Sequence, residues 1–210
     1  MLNIALPKGR LGDSVYSMFE RAGFDCPAYN DINRELVIEN RKKGLRFFLV
    51  KPGDVQVYVE HHAADVGIVG KDILLEEEPD VYELLDLGVG KCRMCVAAPK
   101  GYRDDRNRTL RVATKYVNVA KHYYSEKNRD MEIIYLRGSI ELGPITGLSD
   151  VIVDIVETGN TLKANNLVVI DAFKDISARF IANKSSYKFQ NRMITDMVGR
   201  LAEQVGGEEK

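Results

Sequence analysis

Val151-Ile-Val-Asp-Ile-Val-Glu-Thr-Gly-Asn-Thr-Leu162 is the stretch on which the rest of the chain turns. Its run of Val and Ile predicts a buried strand, because β-branched side chains fit a pleated surface covered on both faces. Two carboxylates, Asp154 and Glu157, interrupt and end that run. Thr158-Gly159-Asn160-Thr161 then turns tightly into a helix expected over about 161–166. Such a turn suits a phosphorylated sugar. Gly159 lets the backbone come close, successive N–H groups point into the turn, and a helix N-terminus adds partial positive charge. The hydroxyls of Thr158 and Thr161 donate further hydrogen bonds, while the carboxylates accept from ribose hydroxyls or hold Mg²⁺ through water. The plainer alternative is an ordinary strand-to-helix turn, with Thr161 as its N-cap and both acids solvated. Against it stands Asp154, set inside an apolar run, because a desolvated carboxylate needs partners.

The same alternation of strand and helix runs outward in both directions. Leu2 to Leu6 predicts a short strand closed by Pro7-Lys8-Gly9-Arg10, followed by a helix with Asp13 or Ser14 as N-cap. Leu11, Val15, Met18, Phe19 and Ala22 recur on that helix at helical spacing. Leu36 to Ile38 and Leu45 to Val50 flank the polar turn Asn40-Arg-Lys-Lys-Gly44 and predict a hairpin. Further on come a helix from Pro52 to about Ala63, a strand at 65–70 and a short helix at 71–78. The pattern restarts near Leu87, with strands at 94–98, 110–113, 133–136, 151–156 and 167–170 and a helix from Val117. A final helix over roughly 188–204 carries Met193, Ile194, Met197, Val198, Leu201 and Val205. Strand then helix, repeated, predicts a parallel α/β sheet with helices on its faces. Two such halves without a linker imply two lobes: residues 1–89 with about 178–210, and about 90–177, ligands lying in the cleft.

Composition sets limits. Across 210 residues, 30 basic side chains nearly cancel 31 acidic ones, so no global field draws the chain to nucleic acid or membrane. Any phosphate site must be local. No apolar run approaches the roughly 18 residues of a membrane span, and the N-terminus lacks the pattern of a secretory signal. Three cysteines fit a reducing compartment, so a cytoplasmic location is expected.

Asp154 to Leu162 resembles the loop that binds phosphoribosyl pyrophosphate (PRPP) in ATP phosphoribosyltransferases. Leu6-Pro-Lys-Gly-Arg-Leu11, the segment from Tyr58 to Asp72, Ala113-Thr-Lys-Tyr-Val-Asn-Val-Ala120, Gly138-Ser-Ile-Glu-Leu-Gly-Pro144 and Ser149-Asp150 are similar to that family's segments, in its order. The resemblance implies two α/β lobes around a central cleft, as in type II periplasmic binding proteins. It also implies a pentosyltransferase of the short form, in which N1 of ATP displaces pyrophosphate from C1′ of PRPP in the first step of histidine biosynthesis. The partners it implies are ATP, PRPP and a regulatory subunit resembling a histidyl-tRNA synthetase, with a homodimer inside a hetero-octamer. Mg²⁺ travels with the substrate phosphates.

Site residues follow from the same resemblance. Asp154, with Glu157 beside it, is expected at the ribose hydroxyls, and Thr158, Gly159, Asn160 and Thr161 at the 5′-phosphate. Lys8, Gly9 and Arg10 end the first strand and should meet pyrophosphate or triphosphate oxygens. Lys51 follows a strand in the same way and is a catalytic candidate with Lys8, Arg10 and Asp154; many members carry Arg there, so the resemblance implies a contact without the bidentate geometry of Arg. Arg34, Lys71, Lys115 and Glu141 are further candidates, each otherwise an ordinary surface charge.

Other features invite different chemistry. Gly67-Ile-Val-Gly-Lys-Asp72 is too short for a P-loop and puts Asp where Ser or Thr would meet Mg²⁺. Cys92 and Cys95 have ligand spacing but no second pair, and His61 and His62 point about 100° apart on a helix. Glu76-Glu-Glu78 suggests a solvated helix end. Rival functions are a non-catalytic two-lobe solute-binding module, a PRPP transferase with another acceptor, and an inert scaffold. The first would need an export signal, the second usually has adjacent acids before its loop, and the third has no use for Gly159 between threonines.

Overall fold

The computed structural model describes residues 1–31 and 33–206, and its chain divides into two compact units. Unit 1 holds Met1–Leu74, Glu78–Gly90 and the chain from Ser177 onward; unit 2 holds Leu75–Glu77 and Lys91–Ile176. In chain order, β1 (Leu2–Pro7), α1 (Arg10–Arg21), β2 (Val37–Asn40), β3 (Leu45–Val50), α2 (Val55–Glu60), β4 (Val66–Gly70), α3 (Lys71–Glu77) and β5 (Val81–Asp86) come first. Next come β6 (Cys92–Pro99), β7 (Leu110–Thr114), α4 (Val117–Glu126), β8 (Met131–Tyr135), α5 (Leu142–Ile145), β9 (Val151–Val156), α6 (Asn160–Ala164) and β10 (Leu167–Ile176). The chain closes with β11 (Ala178–Asn183), α7 (Lys184–Phe189) and α8 (Asn191–Gly206). No described helix is long and apolar enough to cross a membrane.

Unit 1 is built on a six-stranded sheet in the order β2-β3-β1-β4-β11-β5. β1 lies inside it and is covered on both faces. Leu2, Ile4 and Leu6 enter one core cluster with Phe19, Phe47, Phe180, Met197 and Leu201, while Ala5 enters another with Val55, Val59 and Ile181. This is period-two alternation with both sides apolar, as a central strand requires. The predicted hairpin forms as β2 and β3, with Asn40 paired to Leu45. The parallel sheet does not: β1 is parallel to β3 and β4, but β11 runs antiparallel to both β4 and β5. The chain returns from unit 2 at Ser177 and inserts β11 against the direction of its neighbours.

Helix α1 starts earlier than its sequence suggests. Its N-cap is Gly9, at φ +87°, and the Asp13 amide already donates to the Gly9 carbonyl at 3.0 Å. Asp13 is therefore one turn inside, and its carboxylate accepts from the Tyr29 hydroxyl at 2.8 Å instead of capping the helix. Gly12 explains the close fit: a Cβ there would lie 1.7 Å from the Pro7 carbonyl oxygen. The helix begins directly on the end of β1.

Unit 2 has a five-stranded mixed sheet in the order β10-β6-β9-β7-β8, with β7 parallel to both β8 and β9. One face packs on α4 through Val96, Val112, Tyr123, Val151 and Val153. The other carries Cys95, Ala97, Ala113, Ile152 and Val156 under Ile140, Leu162 and Leu167. Glu76 is not a solvated helix end. Its carboxylate accepts from the amides of Asn118 at 2.9 Å and Val119 at 3.1 Å, satisfying donors that open α4.

Replacing Gly12 by Ala forces α1 off the end of β1. We expect a loss of about 2–3 kcal/mol, within the range for overpacked cores, seen as a lower Tm in a thermal melt. An unchanged Tm would show that the turn relaxes freely.

Candidate active site

In unit 2 the three parallel strands β7, β8 and β9 end along one sheet edge, and three connections leave from it. The first carries Lys115, the second runs through residues 136–141 to Glu141 at the N-cap of α5, and the third is 157–161. Asp154 pairs with Cys95 across β6 and β9, and so lies on the face of Ile152 and Val156 and is half-buried. Glu157, Thr158, Asn160 and Thr161 are exposed. Gly159 sits at φ +74° as the N-cap of α6, a left-handed conformation that favours glycine. The Thr158 hydroxyl accepts from the Asn160 amide at 3.4 Å. Helix α6 spans only five residues, so the individual amides of its first turn matter more than any long-range dipole.

Lys115 is exposed, with its ammonium 4.7 Å from the centre of the Tyr116 ring. At the far end of β9, Asp150 anchors the chain. It accepts from the amide and side chain of Arg111 and from two nitrogens of Arg108, at 2.9–3.3 Å, and Arg111 also donates to the Gly147 carbonyl. Burial would raise its pKa, but these donors outweigh burial and hold it down at about 2.

In unit 1, the parallel strands β1, β3 and β4 end in Lys8, Lys51 and Lys71. Pro7 pairs with Val50, and the Lys8 amide donates to the Val50 carbonyl at 2.8 Å, which puts Lys8 and Lys51 on neighbouring strand ends. A pocket of about 310 Å³ is lined by Lys8, Gly9, Asp13, Tyr29, Asn33, Arg34, Glu35 and Leu49. Of the expected residues it gathers Lys8, Gly9 and Arg34; Arg10, Lys51 and Lys71 lie outside its lining. Lys71 instead pairs with Glu83 at 2.5 Å.

Asp13, Tyr29, Asn33 and Glu35 complete that pocket without having been singled out as site residues. Tyr29 stacks on Tyr16 with ring centres 3.6 Å apart, and burial followed by the Asp13 hydrogen bond pushes its phenol pKa up. The amides of Asn33 and Arg34 donate to Glu35, and Asn33 first among them holds that carboxylate below its usual range. Cys92 and Cys95 pack into opposite core clusters and are not in disulfides, and no group of three His, Cys, Asp or Glu converges among the described residues.

Comparison with known proteins settles the family. A family model described as HisG: ATP phosphoribosyltransferase matches residues 51–203. The chain is 59% identical to the ATP phosphoribosyltransferase of Brachyspira hyodysenteriae, over 97% of this chain and 99% of the relative. The chain belongs to the ATP phosphoribosyltransferase family. Its activity is the phosphoribosyl transfer that opens histidine biosynthesis. A solved HisG:HisZ complex of ATP phosphoribosyl transferase from Thermotoga maritima matches with TM-score 0.85 at 35% identity, covering all of both chains. The arginine-bound form of truncated ArgBP from T. maritima shares the fold at TM-score 0.54 and 13% identity, covering 100% of this chain and 96% of that one.

The Asp150 clamp has a pH signature in this transferase. Its folded-state pKa is depressed from 3.8 to about 2, so its stabilisation is complete above the ordinary value and fades as pH falls toward 2. We expect Asp150→Asn to cost on the order of 2 kcal/mol at neutral pH and roughly half that by pH 3, read from urea unfolding. A gap that stays constant with pH would contradict the clamp.

Proposed function

We propose that unit 2 holds the phosphoribosyl group of PRPP on residues 154–161 and that unit 1, taken by itself, offers a cationic pocket suited to phosphate oxygens. The carrying observation is the shared edge at which Asp154, the glycine turn and Lys115 come together from adjacent parallel strands. In this reading Asp154 accepts from the ribose hydroxyls, while the amides of Gly159 to Thr161 and the threonine hydroxyls receive the 5′-phosphate. Lys8, Gly9 and Arg34 share one pocket and suit a polyphosphate chain.

The chemistry asks little of a base. The N1 lone pair of adenine is free at neutral pH; it forms the N1–C1′ bond as the bond from C1′ to pyrophosphate breaks. Positive charge gathers on the ribose and negative charge on the leaving group, so positioning and fixed charges carry the catalysis. Asp154 and Glu157 are the carboxylates at the loop suited to meet, through water, a Mg²⁺ carried by the substrate phosphates. That ion supplies charge neutralisation at the leaving group when bound. A regulatory partner of the HisZ kind, a homodimer within a hetero-octamer and a cytoplasmic setting complete the proposal; the partner is supported by a solved relative that is a HisG:HisZ complex.

Incubation with ATP, PRPP and Mg²⁺, followed by mass spectrometry and ultraviolet absorbance, should show phosphoribosyl-ATP, with the regulatory subunit added if the chain alone is silent. Asp154→Ala should lower kcat/KM by about a hundredfold or more with circular dichroism unchanged. Near-normal turnover would remove Asp154 from the site.

A further inference from the structure

Thr114 lies in the 113–120 segment but has no role assigned to it, yet it bonds β9 next to Asp154 and the starts of the connections that carry Lys115 and Glu141. It is fully buried at the last position of β7. Its hydroxyl donates to the Val153 carbonyl at 2.7 Å, one residue before Asp154. The same hydroxyl accepts from the Tyr116 amide at 2.8 Å, one residue after Lys115. Its own carbonyl accepts from the Leu136 amide at 3.1 Å, where the segment leading to Glu141 begins. The ladder between β7 and β9 ends at the pair Thr114–Val153, so this side chain extends strand pairing to the point where the site begins.

We propose that Thr114 is the positioning residue of the phosphoribosyl site, holding Asp154 and Lys115 in register through its hydroxyl. The proposal rests on the assignment of PRPP to unit 2. A buried hydroxyl that serves as donor and acceptor at once cannot be replaced by a methyl group without leaving a carbonyl and an amide to find other partners. Valine matches its shape but not its bonds, whereas serine keeps the bonds. The consequence falls on the geometry of the groups that meet PRPP, and an offset of a fraction of an ångström there is felt in affinity.

The test uses the full chain, with its regulatory subunit present where turnover requires it, in wild type, Thr114→Val, Thr114→Ser, Thr114→Ala and Asp154→Asn. PRPP binding is measured by calorimetry and both KM values by steady-state kinetics. Thr114→Val is expected to weaken PRPP binding and raise its KM on the order of tenfold, while the KM for ATP moves less than about twofold. Thr114→Ser should restore PRPP binding, and Thr114→Ala should repeat the loss. If the valine variant does not fold, the serine and alanine variants carry the comparison. PRPP affinity unchanged in Thr114→Val, or lost equally in Thr114→Ser, overturns the positioning role while Asp154→Asn still abolishes binding. Undiminished PRPP binding by Asp154→Asn overturns the unit 2 assignment itself, and this proposal with it.

Discussion

The register of β9 between β6 and β7 decides where the groups of the unit 2 site point. Val151, Val153 and Ile155 face α4, and Ile152, Asp154 and Val156 face the layer formed by Ile140 and Leu162. Side chains alternate strictly along a strand, so a slip by one residue would carry Asp154 to the opposite face and bury it among Tyr123, Val112 and Val96. The apolar residues on both sides make that slip costly, because each is already matched to a packed partner. One carboxylate is thus held by the burial of its neighbours, and the glycine turn three residues beyond Val156 inherits its place from the same register.

A second constraint is the closeness of helix to strand end. Gly12 and Gly67 stand where a Cβ would strike backbone or neighbouring valines, at 1.7 Å and 2.8 Å. The first contact sets α1 directly on the backbone at the end of β1, and the second lets Val55 and Val59 of α2 pack against β4 at Gly67. They keep the turns after the strands short. Lys8 and Gly9 consequently stay at the strand end, beside Arg34 in one pocket. Both units repeat the device of a positive-φ glycine between a strand and its helix, Gly9 in one and Gly159 in the other.

Much of this was legible in the residues. The hairpin of β2 and β3, the buried β9 run, the amphipathic α8 and the family all follow from pattern and motif. What escaped was non-local. β5 and β11 pair with strands distant in sequence, and β11 carries Arg179 in its interior, tolerable because Glu83 and Asp86 neutralise it. No periodicity marks a strand buried on nearly every residue, and nothing local says that it runs antiparallel. The lining of the unit 1 pocket by Tyr29, Asn33 and Glu35 comes from an irregular segment with no repeating pattern. Asp13 looked like a cap because only the fold shows the helix beginning at Gly9. Thr114 reads as any strand-end threonine until pairing with Val153 is known.

Backbone amide exchange in the presence and absence of PRPP and Mg²⁺ tests the central claim most directly, since it reports on the donors said to hold the 5′-phosphate. Slowed exchange at Gly159, Asn160 and Thr161 on PRPP binding is the result predicted. Protection confined to residues 8–10 and 33–35, with the 158–161 turn unchanged, would contradict the assignment of the phosphoribosyl group to unit 2.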